Sequence, residues 1–165
     1  MAENPLVKIF EHNNWANAQI IQACMALSAE QLDAAPPSAT EGSIRHTLLH
    51  LVLAQHEYMR LLTLPLAERP VSDPEPPWAE VAASAEHSGA ALVAVLKDEA
   101  SFPRTPLRTR DGHWVEPWVL IMQIINHATE HREQIKSMLS ALGITPPNID
   151  GWEFGWVTKA MVPVS

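Results

Sequence analysis

Residues 117–147 read PWVLIMQIINHATEHREQIKSMLSALGITPP. Within them Ile121, Ile124, Ala128, His131, Ile135, Met138 and Leu142 recur at alternating steps of three and four. That spacing keeps side chains on one face of an α-helix and predicts a buried seam. The ends agree. Pro117 suits a first helical turn, Gly143 suits the position just past a helix end, and Pro146 and Pro147 forbid continuation. Asn126, Glu130, Glu133 and Ser137 fall on the opposite, wet face. His131 therefore stands where the period calls for an aliphatic residue. His127, one turn earlier and about 40° away, borders the same stripe.

Working outward, the 14 prolines outline the rest of the chain. They leave four proline-free windows, 6–35, 38–64, 78–102 and 118–145, each matching one long helix of a bundle. Segment 65–77 is proline-rich and reads as a stiff crossover between the second and third helices. Leu107–Val115 carries the only strand signal, with Asp111-Gly112 expected in a type I′ hairpin turn. Ser43 is placed to cap the second helix. The fold class is thus all-α, a four-helix bundle with a possible short hairpin before the fourth helix, in one domain spanning 1–165.

The second window is apolar at Ile44, Leu48, Leu51, Tyr58, Leu61 and Leu62, and His46, His50, Leu53 and Glu57 border that arc. His50 projects within about 20° of Leu61 and so faces inward. The first window is expected to bury Leu6, Ile9, Phe10, Ile20, Ile21 and Cys24, with Asn13 and Asn17 in mid-stripe. Two core carboxamides need partners, since an unsatisfied buried polar group costs about 1–3 kcal/mol. A polar cavity with a ligand would supply them, which makes Asn13 and Asn17 candidate cofactor-binding residues. The rival reading has them bonded to neighbouring helices, fixing the register. Trp15 projects away from the core and needs cover from the tail or another subunit.

Three inward histidines on two helices, His50, His127 and His131, can converge on one point. Neutral imidazole is the commonest side-chain ligand of first-row divalent metals, and three protein ligands leave positions open for water or substrate. Against this, eight histidines produce an i, i+4 pair by chance fairly often, and His46/His50 is a second such pair. A core histidine is also commonly just hydrogen-bonded. His127-Ala-Thr-Glu130-His131 further matches H-x-x-E-H, the inverted signature of zinc hydrolases. Glu130 projects onto the wet face, however, and only Glu133 and Glu153 follow as carboxylates of that type.

Among the remaining residues, Gln134 is a candidate to orient a ligand through its second ring nitrogen or a water. Arg132 lies on the other flank of its helix and is expected to pair with a carboxylate. Glu57 is two turns, about 10 Å, beyond His50 and is a candidate pocket acid. His46 is a candidate support for His50. Cys24 reads as a small core hydrophobe. His12, His56, His87 and His113 read as surface or loop residues. Trp78, Trp114, Trp118, Trp152 and Trp156 read as packing anchors.

Composition excludes several classes. The formal net charge is −8, with 11 basic against 19 acidic residues, and no basic cluster offers itself to nucleic acid. No run approaches the roughly 18 apolar residues of a membrane span, and the first residues show no apolar signal segment. One cysteine rules out an internal disulfide and fits a reducing, cytoplasmic location.

Three segments carry a family likeness: His12-Asn-Asn-Trp-Ala-Asn17, Gly42-Ser-Ile-Arg-His-Thr-Leu-Leu-His50, and Asn126-His-Ala-Thr-Glu-His-Arg-Glu-Gln134, the last leading to Leu142-Gly143 and Pro146-Pro-x-x-Asp150. The sequence resembles the DinB/YfiT-like family of metal-dependent four-helix-bundle proteins over nearly its whole length. Glu133 departs from the glycine many relatives carry there. The resemblance implies metal ligands at His50, His127 and His131, with a divalent ion such as Zn²⁺ or Ni²⁺. It also implies an up-down-down-up helix order and a homodimer. Characterised relatives include S-transferases and isomerases that use low-molecular-weight thiols such as bacillithiol, mycothiol or glutathione. The functional expectation is a metal-dependent enzyme transferring such a thiol to a small-molecule electrophile. The alternative is a non-catalytic bundle that binds metal or a small ligand in a stress response, and a weaker one is an inverted-motif zinc hydrolase.

Overall fold

The computed structural model describes residues 4–36, 39 and 42–164. Residues 1–3, Pro37, the opening of the second window at 38, 40 and 41, and Ser165 lie outside them. Four long helices form: α1 (Pro5–Met25), α3 (Ile44–Thr63), α4 (Val81–Lys97) and α5 (Pro117–Ala141). Two short ones, α2 (Ala29–Asp33) and α6 (Gly151–Val157), a two-stranded hairpin, β1 (Leu107–Arg108) with β2 (Trp114–Val115), and two 3-10 turns, Leu66–Glu68 and Trp78–Glu80, are the other elements among the described residues.

Local chemistry sets the ends. The Ser43 hydroxyl accepts from the His46 N–H at the start of α3, and Pro117 occupies the first turn of α5. Past α5, Gly143 takes φ +74°, its N–H donates to Ser140 C=O, and Ile144 N–H donates to Leu139 C=O. Those paired bonds satisfy carbonyls the helix would otherwise leave bare. The first window does not make a single helix. Ser28 and Gln31 form a reciprocal capping box that starts α2 after a break at Ala26.

Two core clusters give the helix directions. One holds Phe10, Leu62, Leu92, Leu96, Leu120 and Ile124, and the other holds Ile20, Cys24, Leu48, Val81, Ile135 and Met138. So α1 and α5 run from the first cluster to the second, and α3 and α4 run back. This is the up-down-down-up order. Because α3 and α4 are parallel, the chain between them must travel the length of the bundle, which the proline-rich segment does. Arg60 anchors it by pairing with Asp73.

Five expectations need correction. The buried stripe of α1 is rotated: Val7 is buried, Leu6 only half-buried, and Ile9 is 47% exposed. The cause is the close approach of α1 to α4, where a Cβ at Gly89 would lie 2.7 Å from Asn14 Oδ1. Asp111-Gly112 is not a type I′ turn. Only Gly112 has positive φ, and Thr109 N–H donates to His113 C=O across a longer loop. His12 is not a surface residue, because the tail returns over α1: its Nε2 meets Ile149 C=O at 2.9 Å and its ring packs on Trp15 and Phe154. His56 is likewise half-buried, bonded through Nε2 to Ser84 C=O and Oγ on α4. Of the tryptophans, Trp15 is covered by the tail as expected and Trp78 stacks under Arg45, while Trp114, Trp118, Trp152 and Trp156 are exposed rather than packed.

Candidate metal centre

Antiparallel packing of α3 on α5 places His50 opposite the pair His127 and His131. The α5 hydrogen-bond ladder is unbroken from Pro117 to Ala141, so i and i+4 project together. His127 Nε2 lies 3.1 Å from His50 Nε2 and 3.1 Å from His131 Nε2. All three ligand atoms fall within 4.8 Å of one another. Two imidazole nitrogens on one ion at the usual bond length of about 2.1 Å are separated by about 3.0–3.4 Å. Hydrogen bonding explains the cluster less well. One Nε2 has either one proton or one lone pair, so His127 cannot make two good bonds to two neighbours. A shared cation accounts for both contacts, and the donor set fits one.

Protonation and orientation favour ligation. Burial, then the nearby charges of His131 and His50, push the His127 imidazole down to about 4, so it is neutral with its lone pair available at pH 7. Gln134 Oε1 accepts from His131 Nδ1 at 2.7 Å, which fixes the tautomer that turns the Nε2 lone pair toward the other rings. Gln134 thus orients His131. The Tyr58 ring stands edge-on to His127 at 5.5 Å and screens that side. The void beyond His127, bounded by Leu51, Gln55 and Ile124, is only about 10 Å³, room for about one water. Anything larger must reach the three nitrogens from outside.

No carboxylate joins the histidines among the described residues. Glu130 and Glu57 are exposed, as is His46. Cys24 is fully buried and burial pushes its thiol up to about 12, the state of an inert core residue.

Asn13 and Asn17 are buried in mid-bundle, as the sequence predicts. Their partners come from other helices. Arg132 is itself buried and, among the described residues, makes no ion pair with a carboxylate, contrary to expectation. Its Nη1 donates to Asn13 Oδ1 and Asn17 Oδ1, both at 2.7 Å, and its Nη2 donates to Thr129 Oγ1 at 3.0 Å. Carboxamide dipoles stand in for the missing anion, and burial pushes the guanidinium down to about 10. Asn17 Nδ2 donates to Gln55 Oε1 at 2.9 Å, and Gln55 Nε2 donates to Ala85 C=O and Ser88 Oγ at 2.8 Å each. A polar belt therefore crosses the core through all four long helices. Asn13 Nδ2 is left without a partner. Gln55 escaped the sequence reading, although it sits four residues after Leu51 in the α3 seam and carries the same signal as the asparagines.

Helix order, crossover and converging histidines agree with the likeness read from the three segments. No curated protein matches the chain. The family model described as the DinB family matches residues 1–161, nearly the full length, and on that ground the chain belongs to the DinB family.

Proposed function

We propose that the protein is a metal-dependent enzyme whose divalent ion, Zn²⁺ or Ni²⁺, is held by His50, His127 and His131. The observation that carries this reading is that His127 Nε2 lies 3.1 Å from the Nε2 of both His50 and His131, with one ligand atom of each histidine within 4.8 Å of the others. The chemistry such an ion supplies is Lewis acidity, which lowers the pKa of a coordinated water or thiol. Three protein ligands leave room for one. The reaction proposed is transfer of a low-molecular-weight thiol to a small electrophile, with the thiolate as the attacking form. Gln134 holds His131 in register for this task. In this reading Asn13 meets a ligand through its spare Nδ2, while Asn17 keeps Arg132 and Gln55 in place.

The single buried cysteine supports a reducing, cytoplasmic setting, and the described helices include none long and apolar enough to cross a membrane. The net charge of −8 argues against a nucleic-acid partner. A homodimer is part of the proposal, supported by the exposed Ile9, Trp118 and Met122.

The test is a panel of low-molecular-weight thiols against a generic electrophile, with protein loaded with Zn²⁺ or Ni²⁺. Turnover with one thiol, lost in His131→Ala, supports the transferase. Metal bound without turnover across the panel assigns the fold instead to a non-catalytic binding role.

A further inference from the structure

A second concave site lies away from the histidines, between the C-terminal half of α3, the crossover and the β1–β2 hairpin. It is a cleft of about 300 Å³ whose charged lining is Glu57, Arg60, Arg69, Asp73, Arg110 and Asp111, the last turned to His113. It contains none of the three histidines. Two of its three arginines lack an acidic partner. Arg60 pairs with Asp73, whereas neither Arg69 nor Arg110 meets a carboxylate among the described residues.

Backbone carbonyls hold these two guanidinium groups instead. Arg69 donates through Nε to Leu64 C=O at 2.8 Å, through Nη1 to Arg108 C=O at 2.6 Å and through Nη2 to Leu61 C=O at 3.5 Å. Arg110 donates through Nη2 to Pro70 C=O at 2.7 Å and to Arg69 C=O. A guanidinium carries about five N–H donors. Each group therefore keeps donors to spare, and the carbonyl clamps fix where they lie. The two cations also repel: burial and the nearby Arg110 together push the Arg69 guanidinium below its ordinary value. An anion would relieve that repulsion, and a carboxylate suits the planar fork.

The same cleft holds an acceptor without a donor. The Asp73 side chain is 9% exposed, and its Oδ2 is buried with no hydrogen-bond partner. A carboxylate oxygen in that state calls for a hydroxyl or ammonium group. We infer that this cleft binds a small hydroxy- or amino-carboxylate, with the anionic group on Arg69 and Arg110 and the hydroxyl or amine on Asp73. The inference stands whether or not the histidines carry a metal.

The experiment titrates L-malate, L-aspartate and succinate into chelator-treated and metal-loaded protein, followed by amide chemical shifts. The three probes share their carboxylates and differ in a hydroxyl, an amine or neither. Malate or aspartate should bind in the millimolar range, at least about fivefold more tightly than succinate, and equally well with and without metal. Arg110→Gln should weaken that binding about tenfold, because it removes one charge-assisted contact. Arg104→Gln, an exposed cation outside the cleft, should change nothing. No binding of malate or aspartate would overturn the inference. So would succinate binding as tightly, equal weakening by Arg104→Gln, or binding seen only with metal present, which would put the carboxylate on the histidines.

Discussion

Replacing Asn17 by leucine tests whether the polar belt holds the bundle together. Asn17 Oδ1 accepts from Arg132 Nη1 at 2.7 Å and Asn17 Nδ2 donates to Gln55 Oε1 at 2.9 Å. Leucine removes both contacts in a site where the side chain is 4% exposed. The Gln55 oxygen then loses its donor and the buried guanidinium keeps only Asn13 as a carboxamide partner. Stranding a buried polar group costs about 1–3 kcal/mol, and more for a charged one. The added apolar surface of leucine returns about 1–2 kcal/mol. A net loss of about 2–4 kcal/mol follows, which for a domain of this size lowers Tm by roughly 5–15 °C. The double variant Asn17→Leu/Gln55→Leu should recover part of it, because it removes the stranded Gln55 oxygen. Thermal melts of Asn17→Leu, Gln55→Leu and the double variant, with metal content measured on the same samples, are the assay. An Asn17→Leu Tm within about 1 °C of the parent, or a double variant that simply sums the two single losses, would refute the belt as a coupled unit.

Gln134→Leu should leave the fold intact and weaken metal affinity about tenfold or more, because His131 Nδ1 loses the acceptor that sets its tautomer; competitive titration with a chromogenic chelator reads this. Cys24 should resist a thiol reagent at pH 8 in the folded protein and react only at the rate of unfolding. Its folded thiol is pushed up to about 12 from 9.0, so above pH 9 the unfolded chain loses that proton first. The resulting stability loss is absent below pH 9 and grows by about 1.4 kcal/mol per pH unit above it, a slope that denaturant titrations between pH 8 and 10 can read. Gly143→Ala, at φ +74°, should cost about 1 kcal/mol and about 2–4 °C in Tm while leaving metal binding unchanged.

What the sequence disclosed followed from rules that act within one segment. Ser43, Pro117 and Gly143 read correctly because caps depend on residues a turn away. The converging histidines read correctly because α5 is a regular helix and His131 replaces an aliphatic residue in its seam. The parallel α3 and α4 came from the family likeness, and the long proline-rich crossover suits that order. What escaped depended on how helices rotate against one another. Arg132 lies about 60° from the seam. Only the carboxamides that α1 turns toward α5 make burying its guanidinium tolerable. Ile9 and Val7 exchanged places for the same reason, once Gly89 let α4 close on Asn14. His12 and His56 were drawn inward by neighbours distant in sequence, the tail and α4. The break between α1 and α2 was local and readable: Ser28-x-x-Gln31 is a capping box, and the missing proline masked it.

The central claim is that three histidines hold one divalent ion, and metal stoichiometry measures it most directly. Protein purified without added chelator, loaded with Zn²⁺ or Ni²⁺ and desalted, should retain about one ion per chain by elemental analysis. His131→Ala should retain essentially none, since two imidazoles make a weak site. His56→Ala should retain the full complement, since His56 bonds to Ser84 and stands apart from the cluster. Equal metal content in His131→Ala and His56→Ala, or none in the parent protein after loading, would contradict the account.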